Sequence, residues 1–294
     1  MKKKILFITL SNIGDALLTT PVLEYLHQKH PKAEIDIVGD LRSQEIFSAC
    51  DYKNNFFLKD KSKGLIGNIE LLIKLRKNFY DIAVDLRTDL FLYFIKADKK
   101  FFKKKNTQIH SALKHFSAVE CDLTKIPDTK IWIPNKVLIK IKNKIPKESK
   151  KIICLGLGAN SSHKIWPTLN YVKLCNLLQE KFDTFILLGT KNEKKYANIF
   201  KRNFNGNVFD FCGDLSLTES AAILKKAKLF IGNDSGLGHI ASATKTKSFT
   251  IFGEGNPLRY KPYGMKSFFY QNPKKDINLI DVDTIFQKIN ELKI

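Results

Sequence analysis

Short apolar runs alternate with helix-like stretches along almost the whole chain, and this rhythm constrains the fold more than any other feature. The first run, residues 4–10, contains Ile5-Leu6-Phe7-Ile8 with no polar interruption. Such a run suits a parallel strand buried on both faces. Residues 15–30 then read as one helix, with Pro21 as a kink inside it. Strands follow at 34–38 and 55–58, separated by a short helix at 43–49. Residues 66–77 form an amphipathic helix with Ile66, Ile69, Leu72, Ile73 and Leu75 broadly on one side. A strand at 81–86 completes a β-α-β-α order, which implies a parallel sheet with helices on both faces. Residues 135–151 are lysine-rich, bounded by Pro134 and broken by Pro146, and read as a short helix leading into a linker. The alternation restarts at 151–157 and continues to a closing helix at 283–292. The chain therefore reads as two doubly wound halves, 1–148 and 149–294. Ligands of open α/β sheets bind at the carboxyl ends of the strands, so the loops there should carry the chemistry.

Composition narrows the functional classes. With 294 residues, 44% of them hydrophobic, the chain can build two cores. No run approaches the roughly 18 apolar residues needed to span a membrane. The start, Met1-Lys2-Lys3-Lys4 before a short apolar run, lacks a signal-peptide cleavage pattern. Cys50, Cys121, Cys154, Cys175 and Cys212 are scattered and odd in number, which points to reduced thiols in a cytoplasmic compartment. No spacing suggests a zinc site, and His110 and His115 do not form one. No metal or other cofactor is expected. The formal charge is +21, yet of 50 basic residues only Arg42, Arg76, Arg87, Arg202 and Arg259 are arginine. This lysine excess reads either as a solvated surface or as attraction to an anionic membrane face, peripheral on its inner side, or to an acidic substrate. Nucleic acid is not an expected partner. The stretch Lys99-Lys100-Phe101-Phe102-Lys103-Lys104-Lys105 carries its aromatics in one pair, and no recognition motif accompanies it.

Four loops stand at strand ends. Ser11-Asn12-Ile13-Gly14-Asp15 follows the first strand and lacks the spaced glycines of a dinucleotide fingerprint or a Walker A loop. Asp15 there is either a dipole-favoured helix-start residue or a reactive carboxylate. The second loop, 156–167, runs Gly156-Leu157-Gly158-Ala159-Asn160-Ser161-Ser162-His163-Lys164-Ile165-Trp166-Pro167. Its small and hydroxyl residues can offer donors to phosphate, and Lys164 adds a mobile point charge. The third, Gly232-Asn233-Asp234-Ser235-Gly236-Leu237-Gly238-His239, opens a helix whose free N–H groups and dipole favour an anion. The fourth is Phe252-Gly253-Glu254-Gly255-Asn256-Pro257. Asp281-Val282-Asp283, the one Asp-x-Asp triplet, reads as a helix cap.

These motifs, taken in order, resemble glycosyltransferase family 9, the family of the ADP-heptose:lipopolysaccharide heptosyltransferases. Ile13-Gly14-Asp15-Ala16-Leu17-Leu18-Thr19-Thr20-Pro21 is similar to its opening signature. Lys164-Ile165-Trp166-Pro167 and Asn233-Asp234-Ser235-Gly236-Leu237-Gly238-His239 are similar to its two later ones, and Phe252-Gly253 and Pro262-Tyr263-Gly264 extend the match. Family members often carry proline where Lys247 and Glu254 stand here.

The resemblance implies a GT-B fold: two Rossmann-like, doubly wound domains facing across a cleft, the N-terminal one for the acceptor and the C-terminal one for a nucleotide-sugar donor. It implies inverting, metal-independent transfer of a heptose or related sugar, with ADP-heptose as the expected donor and a lipopolysaccharide core or related glycolipid as acceptor. Asp15 is implied as catalytic base, with Asn12 and Gly14 toward the acceptor. Lys164 is implied at the donor diphosphate and in catalysis. Asn160, Ser161, Glu193, Asp234, Ser235, Gly236, Leu237, Gly238 and His239 complete the donor set, Glu193 toward the ribose. The chemistry suits these residue types, since a carboxylate can take the acceptor proton and a cation with a helix N-terminus can hold the leaving diphosphate. Two other readings stay open: a nucleotide-sugar-binding or epimerising protein of this fold, and a basic binding module for membrane or nucleic acid driven by charge alone.

Overall fold

Ile5 to Ile8 are all buried, as expected of a central parallel strand whose sheet carries helices on both faces. A computed structural model of the chain describes residues 2–87, 90–105, 108–146 and 148–292. It divides into two compact units, Met1–Trp132 and Ile133–Ile294.

The first unit holds strands β1 (Lys4–Ile8), β2 (Glu34–Gly39), β3 (Lys53–Leu58), β4 (Tyr80–Asp85) and β5 (Ala97–Phe102). They lie in the order β3-β2-β1-β4-β5, every pair parallel. Strand order reverses between β1 and β4, which opens a crevice at their carboxyl ends. The second unit repeats the plan with β6 (Ile152–Gly156), β7 (Thr184–Leu187), β8 (Val208–Asp210), β9 (Leu229–Asn233), β10 (Ser248–Phe252) and β11 (Ser267–Gln271). Its parallel order is β11-β10-β9-β6-β7-β8, so its reversal falls between β6 and β9. The core there is aromatic and continuous, with Trp166, Tyr171, Phe185, Phe200 and Phe249 among its buried members.

Several local expectations change. Residues 15–30 are two helices, Ile13–Leu17 and Thr20–Lys29. The Thr19 and Thr20 hydroxyls donate to the carbonyls of Ala16 and Leu17, at 2.7 and 2.6 Å, and close the first helix. Pro21 then sits in the first turn of the second, where a missing N–H costs nothing. Strands β5 and β11 escape the periodicity reading. Lys99 and Lys100 are exposed on β5, an edge strand, and edge strands carry charge to block further pairing. The helix Gly64–Arg76 buries Leu71 and Leu75 but turns Ile66, Ile69 and Ile73 to solvent, so its apolar residues do not share one side. The helix Asn135–Lys142 packs on Leu217–Leu224, with Lys140 Nζ 2.6 Å from Glu219 Oε1. The division between units therefore falls after Trp132, earlier than the break between 148 and 149 read from the sequence.

Candidate functional site

Each unit gathers its loop residues at its own point of strand reversal. In the second unit the organiser is Asn233, the fully buried last residue of β9. Its Oδ1 accepts from the Trp166 N–H at 3.0 Å and from the Tyr171 hydroxyl at 2.9 Å. Its Nδ2 donates to the Leu157 carbonyl at 2.9 Å. One side chain thus ties the loop after β6 to the loop after β9, and a fully satisfied buried network of this kind holds a single geometry. Trp166 is buried behind it, donating its Nε1–H to the Ile280 carbonyl at 2.9 Å and packing edge-on against Tyr171. Pro167 caps the helix Thr168–Leu178. The motif pattern singled out this segment, but the bracing roles of Asn233 and Tyr171 appear only when the two loops meet.

The brace sets Lys164 beside Asp234. Lys164 ends a short 3-10 turn, Ser162–Lys164, and its Nζ lies 2.6 Å from Asp234 Oδ2. This is a charge-assisted hydrogen bond at partly exposed side chains. Ser235 is the N-cap of the helix Gly236–Ala243, yet its side chain makes no capping bond, and its buried Oγ finds no partner among the described residues. The first N–H groups of that helix are left for another acceptor. Gly238 allows a close approach there, since a Cβ would stand 3.1 Å from Pro262 Cγ and 3.3 Å from Thr250 Oγ1. His239 is buried on the same turn. The Leu237 side chain packs toward Gly156, so Leu237 offers the site its backbone.

Glu193 joins the set from the end of β7. It closes a capping box with Thr190, accepting from the Thr190 N–H at 2.5 Å. Its carboxylate lies where side chains of Gly158 and Gly189 would stand, with Oε1 only 2.1 Å from a Cβ at 158 and Oε2 2.8 Å from one at 189. Two glycines therefore make room for one acceptor carboxylate over the ends of β6 and β7. Ser161 Oγ is 2.9 Å from the His163 ring, whose Nε2 is 3.6 Å from Glu254 Oε2, and Asn160 is exposed on the same loop. Glu254 thus lies beside His163, while Lys164 pairs with Asp234. Lys247 Nζ donates to the Leu292 carbonyl at 2.8 Å. A cavity of about 560 Å³ lined by Asn170, Lys173, Asn176 and Asp281 contains none of these residues. Among the described residues no group of three or more His, Cys, Asp or Glu could hold a metal ion. Asp281 caps the helix Val282–Asn290, accepting from the Thr284 N–H at 2.7 Å.

In the first unit, Asn12 is the N-cap of the helix Ile13–Leu17, which carries Gly14 and Asp15 in its first turn. Asn12 Nδ2 donates to Asp15 Oδ2 at 3.0 Å, and Asn12 Oδ1 accepts from Arg42 Nη1 at 3.3 Å. Arg87 donates to Ser11 Oγ, and its backbone N–H donates to the fully buried Asp85 at 2.7 Å. Two of the five arginines in this lysine-dominated chain therefore flank the β1 loop. Their scarcity is visible in the sequence, but the fold alone brings residues 42 and 87 to one strand end.

Residues 71–277 match the profile of glycosyltransferase family 9 (heptosyltransferase). Lipopolysaccharide heptosyltransferase 1 of Campylobacter coli is 26% identical over 287 residues, which cover 85% of this chain and 84% of that protein. The crystal structure of the glycosyl transferase family 9 from Veillonella parvula DSM 2008 superposes with a TM-score of 0.88 at 18% identity, over 99% of this chain and 98% of that one. E. coli heptosyltransferase WaaC with ADP-2-deoxy-2-fluoro heptose superposes with a TM-score of 0.76 at 18% identity, over 98% and 99%.

Proposed function

The chain belongs to glycosyltransferase family 9 and has the GT-B fold, and from that premise we propose that it moves a heptose from ADP-heptose to a lipopolysaccharide core or related glycolipid. One observation carries the reading. At the strand reversal of the second unit, Asn233 holds Lys164, Asp234 and the uncapped start of the Gly236 helix together, while Glu193 lies on Gly158 at the neighbouring strand end. That arrangement offers a carboxylate for a ribose diol, a cation and free N–H groups for a diphosphate, and a second carboxylate for sugar hydroxyls. The relative from Campylobacter coli is a lipopolysaccharide heptosyltransferase by name, and the E. coli neighbour holds a fluorinated ADP-heptose.

The transfer is a single inverting displacement. An acceptor hydroxyl oxygen forms the new bond to the anomeric carbon as the bond from that carbon to the β-phosphate oxygen breaks. Asp15 takes the hydroxyl proton, and ADP leaves with the electron pair. Asn12 orients the Asp15 carboxylate, and Gly14 leaves space beside it for the acceptor. Lys164 moves part of its charge from Asp234 to the departing diphosphate, and the helix start at Ser235 to His239 shares that load. Asn160 and Ser161 border the phosphates. Protein cations do the work that a metal does elsewhere, so the reaction is metal-independent. Arg42 and Arg87, with their forked donors, suit an acidic acceptor. The proposed compartment is the cytoplasm, which suits five free cysteines.

Incubation with ADP-heptose and a heptose-deficient lipopolysaccharide in excess chelator tests this. ADP release coupled to acceptor growth is the expected result. Activity that appears only with added magnesium or manganese contradicts the metal-independent mechanism. Binding of ADP-heptose with no transfer, or its epimerisation, contradicts the transferase reading.

A further inference from the structure

The helix Gly64–Arg76 is apolar on the side that faces away from its own core. Leu71 and Leu75 fill the core beneath it together with Phe91 and Leu92. On the opposite side Leu65 is 80% exposed, Ile66 70%, Ile69 57% and Ile73 58%. Their spacing makes one stripe along the helix. A surface helix ordinarily presents polar residues to water, and one that is apolar on both sides calls for a second cover. Tyr93 and Phe94, also largely exposed, extend the stripe from the short helix Phe91–Phe94 packed alongside. Lys63, Lys74, Arg76 and Lys77 are exposed around it. Glu70 is the one acidic residue on the helix, and it pairs with Lys63 at 3.4 Å. Leu65 and Ile66 follow the carboxyl end of β3 and Phe91–Phe94 follows that of β4, the same end of the sheet as Asn12 and Asp15.

We propose that this face docks the first unit on an anionic lipid bilayer. The aliphatic stripe enters the headgroup layer while the basic rim meets lipid phosphates, the arrangement of an interfacial helix. No helix among the described residues is long and apolar enough to cross a membrane, so docking occurs from the surface. Charge decides for lipid over a second copy of the chain: pairing two such faces would set like basic rims against each other, whereas a bilayer of anionic headgroups complements both the rim and the net charge of +21. The consequence for catalysis rests on the transferase reading: docking would hold the Asp15 end of the sheet near a lipid-borne acceptor.

Flotation of the full chain with phosphatidylcholine vesicles, with and without phosphatidylglycerol, tests the proposal. The chain is expected to float with the anionic vesicles and to release with salt. Ile69→Ser/Ile73→Ser should lower that partition about tenfold or more, while Lys74→Gln/Lys77→Gln should lower binding to the anionic vesicles only. Unchanged melting and ADP binding in these variants would show that fold and donor site are intact. No binding of the unaltered chain to anionic vesicles, or equal binding of the Ile69→Ser/Ile73→Ser variant, overturns the proposal. So does a dimer in solution that the isoleucine changes dissolve. Failure of sugar transfer alone leaves the vesicle result standing, so the two readings are judged separately.

Discussion

Gly158 lacks a side chain because Glu193 fills the space a side chain would take, and Asn233 is an amide because three groups from three places need it. Each residue makes a sharp prediction. In Gly158→Ala the new Cβ would fall 2.1 Å from Glu193 Oε1, so the carboxylate must leave its place. If Glu193 holds the ribose, losing hydrogen bonds to a charged acceptor should raise the ADP dissociation constant about tenfold or more, which calorimetry can measure. The unfolding free energy should change far less, because the displaced group ends in solvent. Asn233→Ala has the opposite profile. It strands the Trp166 N–H, the Tyr171 hydroxyl and the Leu157 carbonyl inside the second unit, and should lower stability by about 2–4 kcal/mol in denaturant titration.

At the scale of elements, the helix Ser111–Phe116 carries a pH dependence. Burial, with help from the Lys103 and Lys114 charges, pushes the His115 imidazole from 6.5 down to about 3. The unfolded chain binds a proton near pH 6.5 that the folded chain refuses until about pH 3, so the unfolded state holds more protons across that window. Stability of the first unit is therefore full above about pH 6.5 and falls by up to about 1.4 kcal/mol per pH unit toward pH 3. His115→Leu should flatten that fall, seen as a smaller drop in melting temperature between about pH 7 and pH 5. Elements with one dominant cause were legible from sequence. Predominantly apolar runs marked β1, β2, β4 and β6, with Asp36 the break in β2 and Asp81 the break in β4. Those with competing causes were not. Charged β5 obeys the needs of a sheet edge over strand hydrophobicity, and Thr19-Thr20-Pro21 ends one helix and begins another within three residues. At the candidate site, Lys164, Asp234 and Asp15 stand inside motifs visible in the sequence, whereas Asn233 as brace and Arg42 and Arg87 as neighbours of the β1 loop depend on contacts across 30 to 76 residues of chain.

For the whole molecule, the proposed transfer assigns proton removal to the first unit and donor binding with leaving-group stabilisation to the second. That division predicts different kinetic signatures for its two principal residues. Asp15→Asn preserves shape and removes the basic oxygen, whereas Lys164→Ala removes a charge that meets the diphosphate both before and during bond breaking. The most direct measurement is steady-state transfer from ADP-heptose by both variants, alongside calorimetric binding of ADP. Asp15→Asn is expected to lower kcat by roughly 10²–10⁴-fold with ADP affinity nearly unchanged, and Lys164→Ala to weaken ADP binding and turnover together. Full turnover in Asp15→Asn would contradict the proposed base and leave Asp15 as an acidic residue at a helix start.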